Sequence, residues 1–159
     1  MVSEWVDPAV RWFDDFAEGD VVVTRGRTVD VGDLTVFAGL TGDHYPLHTD
    51  EQSVAKTQFG TRIAHGPLTF SLAVGLVGLS GFYGDAIVAL LGIDGLRAKM
   101  PVLPGDTIHV RGTVLAREHR DGSRFGAITV GYSVLNQREE EVMYFEQKML
   151  AKCKKGNEA

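Results

Sequence analysis

The sequence predicts an α+β fold, in which one antiparallel β-sheet wraps around a long central helix. The first observation is an apolar run at residues 67–79. It is longer than a typical buried strand and therefore favours a helix. The second observation is that four strand-like segments follow this run, with short turns between them. Strands joined by short turns pair antiparallel, and a curved sheet supplies the surface that an apolar helix needs for burial.

Length and composition narrow the class of protein. The 159-residue chain has 44% apolar and 23% charged residues and a formal net charge of −5. These values predict one globular domain, residues 1–159, with an N-terminal arm at 1–13 and a polar tail at 152–159. The negative charge argues against a nucleic-acid partner. The N-terminus lacks a signal-peptide pattern and no apolar run could span a bilayer, so we expect a cytoplasmic protein without a membrane partner.

The two ends of the chain differ in character. Residues 1–19 carry several aromatic residues among acidic ones, which predicts an ordered segment packed on the body, because disordered segments are poor in aromatics. These aromatic residues are Trp5, Trp12, Phe13 and Phe16. The other end is rich in lysine and holds Cys153, the single cysteine. One cysteine forms no internal disulfide, and we expect a free thiol at the surface near a frayed end.

The first regular elements are a strand and a helix. A β-branched run at residues 21–29 predicts the strand. Asp30 then fits the N-cap of a helix, and Asp33 is favourable near the positive end of the helix dipole. Gly42 ends the helix in the position where glycine often adopts a left-handed conformation. The buried face at helical spacing consists of Leu34, Phe37, Ala38 and Thr41.

A short loop after this helix holds the residues with the clearest chemical potential. Asp43 and His48 lie five positions apart with Pro46 between them. Proline disfavours a helical residue before it, so the segment is predicted to be a loop on which both side chains converge. A carboxylate beside an imidazole is suited to proton transfer. The alternative is that both residues only shape a turn.

A second, short helix is predicted to begin at Thr49. Residues 49–52 fit a capping box, in which the hydroxyl and a later amide satisfy the first N–H groups. His48 would then lie just before the positive end of a helix dipole. That position disfavours a protonated imidazole, so we expect a neutral His48 at neutral pH.

The central helix is predicted to start with Gly66 as N-cap and Pro67 as the first helical residue. Residues 68–79 are apolar nearly all round, which predicts a fully buried helix. Gly75 and Gly78 would allow the sheet backbone to come close. The Gly66 N–H has no partner within the helix and could bind an oxygen that gains negative charge. The alternative is that it binds only water or a neighbouring carbonyl.

Four strands complete the predicted sheet. The first contains an irregularity at residues 92–95, a Pro-Gly turn at 101–106 follows it, and Asp121-Gly122 is typical of a hairpin. The predicted strand ranges are 86–100, 107–116, 125–135 and 142–151.

Three motifs resemble those of MaoC-like dehydratases and (R)-specific enoyl-CoA hydratases. Residues 37–50 resemble the hydratase motif, which runs as an aromatic residue, Ser/Thr-Gly-Asp, Asn-Pro, an aliphatic residue and His. Residues 62–66, Arg-Ile-Ala-His-Gly, resemble a second motif that opens the central helix. Residues 99–106 are similar to a Pro-x-x-x-Gly-Asp turn. The resemblance covers roughly residues 14–151.

The resemblance implies a hot-dog fold, usually a dimer with a continuous sheet. It implies that Asp43 and His48 are the catalytic pair and that the Gly66 N–H is the oxyanion donor to a thioester carbonyl. One position departs from the motif, because Tyr45 stands where the family usually has Asn. Tyr45 and His65 are candidate substrate-pocket residues. The alternative for His65 is a structural role, in which it fixes the loop before the central helix.

The function implied is the reversible hydration of a trans-2-enoyl-CoA to an (R)-3-hydroxyacyl-CoA. Dehydration of 3-hydroxyacyl groups on acyl carrier protein is the nearest alternative. Thioester hydrolysis and a non-catalytic acyl-thioester-binding role belong to other classes. No cofactor or metal is expected, because the five histidines show no paired ligand spacing. We expect an acyl-thioester partner and a homodimer or higher homo-oligomer.

Overall fold

Six antiparallel strands form one sheet in the computed structural model, which describes residues 10–154. The strand order is β1-β4-β5-β6-β3, and β2 also pairs with β4. The described elements are a 3-10 helix at Phe13–Asp15, β1 (Val21–Val23), β2 (Arg27–Thr28), α1 (Val31–Thr41), α2 (Pro46–Thr49), α3 (Glu51–Val54), α4 (Gly66–Leu79), β3 (Ile87–Ala98), β4 (Thr107–His119), β5 (Phe125–Leu135) and β6 (Glu141–Lys152). This arrangement confirms the predicted α+β class and the four consecutive strands after the long helix.

The core lies between α4 and the inward face of the sheet. Alternate residues of β4 and β5 are buried, as the period-2 pattern predicts. They form one cluster with Leu68, Ala73 and Val77 of α4. Burying each such aliphatic side chain stabilises the fold by about 1.5–3 kcal/mol. The inward residues of the two strands are Ile108, Val110, Val114, Ile128, Val130, Tyr132 and Val134.

A buried tyrosine pair links the core to the segment after α4. The hydroxyls of Tyr83 and Tyr132 are 2.6 Å apart, and the Tyr132 ring stacks on Phe145. Burial raises the pKa of Tyr132 to about 12 and raises the pKa of Tyr83 as well. Both phenols therefore stay protonated at neutral pH and act as a hydrogen-bonded core contact.

The central helix differs from its prediction in two ways. It begins one residue earlier, with His65 as N-cap and Gly66 as the first helical residue. It is also not fully buried, because Gly75, Gly78 and Leu79 are exposed. The sheet covers only one side of a helix in a single chain. A Cβ atom added at Gly75 or Gly78 would have no neighbour from outside the helix within 4 Å. The sheet backbone therefore does not come close to either glycine.

The first predicted strand is interrupted. Thr24 donates its N–H to the Val110 carbonyl, and its hydroxyl oxygen accepts the Val110 N–H, both at 2.9 Å. A side chain thus takes the place of a ladder carbonyl, and the strand splits into β1 and β2. The predicted irregularity in β3 is confirmed by register shifts along its pairing with β6 and by a left-handed Gly95.

The termini are described in part. Phe13 and Phe16 are buried, as expected for a packed arm. Trp5 lies outside the described residues, as do the ends of the arm and of the tail. The prediction of a surface thiol is wrong, because Cys153 is buried. Its N–H donates to the Arg124 carbonyl at 2.9 Å, so the chain continues along the sheet instead of fraying.

The strand β3 lies at one edge of the sheet. Its only partner among residues 10–154 is β6, so its other edge carries unpaired backbone groups. Exposed edge strands are normally short or carry charged side chains, and both features prevent edge-to-edge pairing with another chain. In contrast, β3 is 12 residues long and exposes five large apolar side chains. These are Val88, Leu90, Leu91, Ile93 and Leu96.

Candidate active site

The helix α1 delivers the candidate loop. The Asp30 carboxylate accepts the Val31 N–H, and the Asp33 carboxylate accepts the Asp30 N–H, so the predicted N-cap is confirmed. At the other end, Gly42 adopts a left-handed conformation (φ 78°), as predicted. That conformation costs glycine least. It turns the chain away from the helix axis, and Asp43 is the next residue.

Asp43 lies in an exposed turn. Its N–H donates to the Thr41 hydroxyl at 3.2 Å, and one carboxylate oxygen accepts the Tyr45 N–H at 3.3 Å. Such side-chain to backbone bonds are the reason why aspartate is common in turns. The second carboxylate oxygen has no hydrogen bond within residues 10–154 and can bind a ligand or water.

The segment after Tyr45 differs from its prediction. Pro46 starts the one-turn helix α2, which contains His48, so the loop is shorter than expected. The next helix starts after Asp50, whose carboxylate accepts the N–H groups of Gln52 and Ser53 at 3.0 Å. Thr49 is not the N-cap, because its hydroxyl is used for carbonyls of the preceding turn. The inference of a neutral His48 from a helix start at Thr49 therefore loses its basis.

His48 is held at one ring nitrogen. Nδ1 lies 2.8 Å from the Ile63 carbonyl, which can only accept, so Nδ1 carries a proton and donates it. Nε2 is left for the site. There it can accept a proton when the ring is neutral and deliver one when the ring is protonated. The ring stacks on His65 at 3.8 Å between centroids.

The structure brings Asp43, His48 and His65 together. Ligand atoms of the three side chains all lie within 4.8 Å of one another. At this separation, one water molecule can hydrogen-bond to a carboxylate and an imidazole at once. His65 is a member of this group although it follows His48 by a long stretch of sequence.

The first N–H of α4 faces the same site. Within residues 10–154, no hydrogen-bond acceptor pairs with the Gly66 N–H. Gly66 and His48 line one cavity of about 260 Å³. The opposite wall is mostly apolar and comes from residues 98–102 with Val142 and Met143. An imidazole nitrogen and a free N–H thus share an apolar cavity, which strengthens hydrogen bonds to a developing charge.

Tyr45 and His65 differ in their relation to this cavity. Tyr45 is 66% exposed, and His65 is fully buried behind His48. Neither contributes to the cavity wall described above. Thr69 and Met100 do line it, although sequence reasoning did not select them. No local signal could have identified these two residues, because they come from separate elements that meet only in the folded chain.

Charges beside the cavity are paired. Lys99 contacts Glu141, and Arg62 binds Glu51 at 2.7 Å. The hydrogen bond from Arg62 lowers the pKa of the exposed Glu51 carboxyl. Arg62, which belongs to the predicted second motif, thereby ties the chain before α4 to α3.

The three converging side chains also include the donor types of a metal site. Two imidazoles and a carboxylate can bind several transition metals. Here one nitrogen of each ring already faces a backbone carbonyl, His48 at Ile63 and His65 at Asp43. Only the remaining nitrogens and the carboxylate could bind an ion. The expectation of no metal stays a prediction.

Comparison with known families identifies the group to which the chain belongs. Residues 15–136 match the model of the MaoC like domain, which is most of the chain. The chain belongs to the MaoC-like dehydratase family. The matched residues include the turn with Asp43, the helix α2 with His48 and the start of α4. Relatives in this family are named as hydratases and dehydratases, which are hydro-lyases.

Two curated relatives show the range of the MaoC-like family. An (R)-specific enoyl-CoA hydratase of Rhodospirillum rubrum is 32% identical over 139 residues, covering 86% of this chain and 94% of that protein. Protein MaoC of Klebsiella aerogenes is 38% identical over 106 residues, covering 67% of this chain. The match spans 31% of the Klebsiella protein, so this chain is similar to a part of it.

A solved structure shares the fold of this chain. A Mycobacterium tuberculosis protein described as having a double hot-dog fold superposes with a TM-score of 0.81 at 21% identity, covering 93% of this chain and 46% of that one. The antiparallel sheet around α4 is therefore a hot-dog fold, as predicted. Across residues 10–154, no helix is long and apolar enough to cross a membrane.

Proposed function

We propose that this MaoC-like protein catalyses the reversible hydration of trans-2-enoyl-CoA to (R)-3-hydroxyacyl-CoA. One observation carries the proposal. Ligand atoms of Asp43 and His48 lie within 4.8 Å of each other, and His48 also lines a cavity together with Gly66, although Asp43 is not part of its wall. A water-activating pair and an oxyanion donor are the groups that addition of water to an enoyl thioester requires. The relative named (R)-specific enoyl-CoA hydratase supports the choice of substrate.

The proposed reaction begins with a water molecule between the two side chains. The Asp43 carboxylate takes one proton from the water, and the water oxygen forms a bond to C3 of the enoyl group. The C2–C3 π electrons move towards the thioester carbonyl. In this scheme the His48 ring starts protonated at both nitrogens. His48 delivers the Nε2 proton to C2 and becomes neutral, and the proton on Asp43 then returns to Nε2 of His48. The sum is the addition of H and OH across one double bond.

The Gly66 N–H stabilises the charge that forms in this reaction. It is the first N–H of α4 and has no intrahelical partner. When the thioester oxygen gains negative charge, the free N–H and the positive end of the helix dipole both favour that charge. Glycine at this position leaves the N–H without side-chain cover. The loss of one such donor typically costs about 10²–10³ in turnover.

The apolar cavity is a reasonable place for an acyl group. Its volume of about 260 Å³ lies below the common range for drug-sized ligands. We infer that the acyl part close to the reacting carbons enters this cavity, whose wall includes neither Tyr45 nor His65. Reaction on acyl carrier protein remains the alternative.

We infer that the functional unit is a homodimer in the cytoplasm, made of single-domain chains. The free edge of β3 supports the dimer, since pairing two copies there would satisfy backbone groups and cover exposed apolar side chains. A continuous sheet across the two copies would result.

The test is hydration of crotonyl-CoA, followed by loss of the enoyl-thioester absorbance. We expect activity in the wild-type protein and a loss of at least about 100-fold in Asp43→Asn and in His48→Ala. His44→Ala is the matched control, because it removes an exposed imidazole from the same loop and should keep activity. Wild-type protein inactive on short, medium and branched enoyl-CoA and on carrier-protein substrates would refute the proposal. Full activity in either variant would remove that residue from the mechanism.

A further inference from the structure

We propose that His65 is a positioning residue that holds both members of the pair, Asp43 and His48, in place. The inference rests on the proposed function, because the pair is the one assigned there. His65 is the N-cap of α4 and is fully buried. Its ring therefore acts on the site through its neighbours and not through solvent.

The first contact holds the backbone of Asp43. Nε2 of His65 lies 3.0 Å from the Asp43 carbonyl oxygen. A carbonyl can only accept, so Nε2 carries the proton of the ring. Asp43 follows the end of α1, where no further helical hydrogen bond restrains the chain. The bond from His65 ties this turn to the start of α4, where Gly66 provides its N–H.

The second contact orients the ring of His48. The two imidazoles stack with centroids 3.8 Å apart and planes 28° from parallel. His48 is bonded at Nδ1 to the Ile63 carbonyl. That bond, together with the attachment at Cβ, restrains the His48 ring within its own plane. The flat face of His65 packs against the ring and limits its remaining tilt, and with Nδ1 engaged at Ile63, Nε2 is the nitrogen left for the site.

A third observation separates this role from ordinary packing. Nδ1 of His65 is buried and has no hydrogen-bond partner within residues 10–154. An unpaired buried polar atom is unfavourable, and phenylalanine would fill the same space without one. The ring of Phe37 packs beside that of His65, with the two ring centroids 5.0 Å apart. A histidine at this position supplies a hydrogen-bond donor for Asp43 and a flat ring for His48 in one residue.

Two variants of His65 each remove one of the two contacts and keep the other. His65→Phe keeps a flat ring against His48 and removes the donor to Asp43. His65→Gln keeps an N–H donor for the Asp43 carbonyl and removes the ring. Val77→Ala is the control for loss of packing, because Val77 is equally buried but lies in the last turn of α4, away from the site.

The expected result is a loss of turnover without a matching loss of binding. Crotonyl-CoA kinetics should show kcat lowered about 10–100-fold in both His65 variants with KM within about threefold, since small misplacements of reacting groups cost this much. Val77→Ala should lower the melting temperature yet keep kcat within about threefold. Normal kcat in both folded His65 variants overturns the proposal.

A spectroscopic measurement decides the same question without turnover. Imidazole and backbone amide resonances are compared by ¹⁵N NMR. His65→Phe should shift the amides next to Asp43 and leave the His48 Nδ1–H signal, while His65→Gln should do the reverse. Unchanged signals of Asp43 and His48 in both variants overturn the proposal. If wild-type protein hydrates no enoyl thioester, the proposed function fails, and these spectra alone show whether His65 holds the pair.

Discussion

At the scale of single residues, Asp43 is placed by its turn and not by its charge. Its carboxylate accepts the Tyr45 N–H at 3.3 Å, and its own N–H binds Thr41. An asparagine oxygen can accept the same bond but cannot take a proton from water. We expect Asp43→Asn to lower the free energy of unfolding by less than about 1 kcal/mol while activity is lost.

Urea unfolding of wild type and Asp43→Asn measures this difference. Asp43→Ala is the companion variant, since it also removes the acceptor and should be the less stable of the two. A loss of several kcal/mol in Asp43→Asn would show that the carboxylate is needed for the fold, and its loss of activity could then not be assigned to proton transfer.

The buried Cys153 gives a second prediction at this scale. Burial, with a smaller contribution from the Asp14 carboxylate, raises the pKa of the thiol, although Arg117 acts in the opposite direction. The thiolate is the reactive form, and a raised pKa leaves less thiolate at any pH below it. We expect native protein to react at least about tenfold more slowly with a disulfide reagent such as DTNB than urea-unfolded protein does. Equal rates would place this thiol at the surface.

At the scale of elements, two consecutive one-turn helices, α2 and α3, determine where His48 lies. Pro46 begins α2 and Asp50 is the N-cap of α3, so one turn of helix between them carries His48. Pro at the first turn is favourable because the missing N–H would have no partner there. A carboxylate that accepts two N–H groups is a stronger cap than a hydroxyl that is already used for carbonyls. The position of His48 therefore depends on Pro46 at the start of α2 and on the Asp50 cap that follows α2.

The cap at Asp50 can be tested against the residue that the sequence favours. We expect Asp50→Ala to cost about 1 kcal/mol of unfolding free energy, as N-cap losses do. Thr49→Ala should cost less than about 0.5 kcal/mol, because Thr49 is exposed and caps no helix. Thermal or urea unfolding of both variants provides the comparison. A larger effect at Thr49 than at Asp50 would restore the predicted capping box.

At the scale of the whole molecule, the exposed edge of β3 is the feature that a single chain leaves unsatisfied. It combines unpaired backbone groups with apolar side chains over 12 residues. The exposed face of α4 is a second unsatisfied feature, because this apolar helix leaves one side uncovered in a single chain. Both features are explained if a second copy continues the sheet.

A charge on this edge should therefore prevent association. Leu91 is 51% exposed on β3, and Leu115 is 41% exposed on the inner strand β4. We expect wild type and Leu115→Lys to sediment as dimers and Leu91→Lys to dissociate, with at least about tenfold weaker association, because a buried unpaired charge is costly. Analytical ultracentrifugation measures this. A monomeric wild type would refute the proposed dimer.

The sequence alone determined the features that depend on neighbouring residues. Asp30 and Gly42 mark the ends of α1, and the alternation in β4 and β5 marks the buried face of the sheet. Caps, turns and strand periodicity involve residues only a few positions apart, so their signals can be seen locally. The placement of Asp43 after a left-handed glycine follows from the same rules.

Tertiary structure decided the features that depend on residues far apart in the chain. Cys153 is buried because the chain continues beside Arg124, and α4 is half exposed because one sheet covers one side. His65 meets His48 only because α4 starts where Ile63 binds the His48 ring. Such contacts arise from packing between elements, and no local pattern of residues contains them. The distance between the reactive groups is therefore a property of the folded chain.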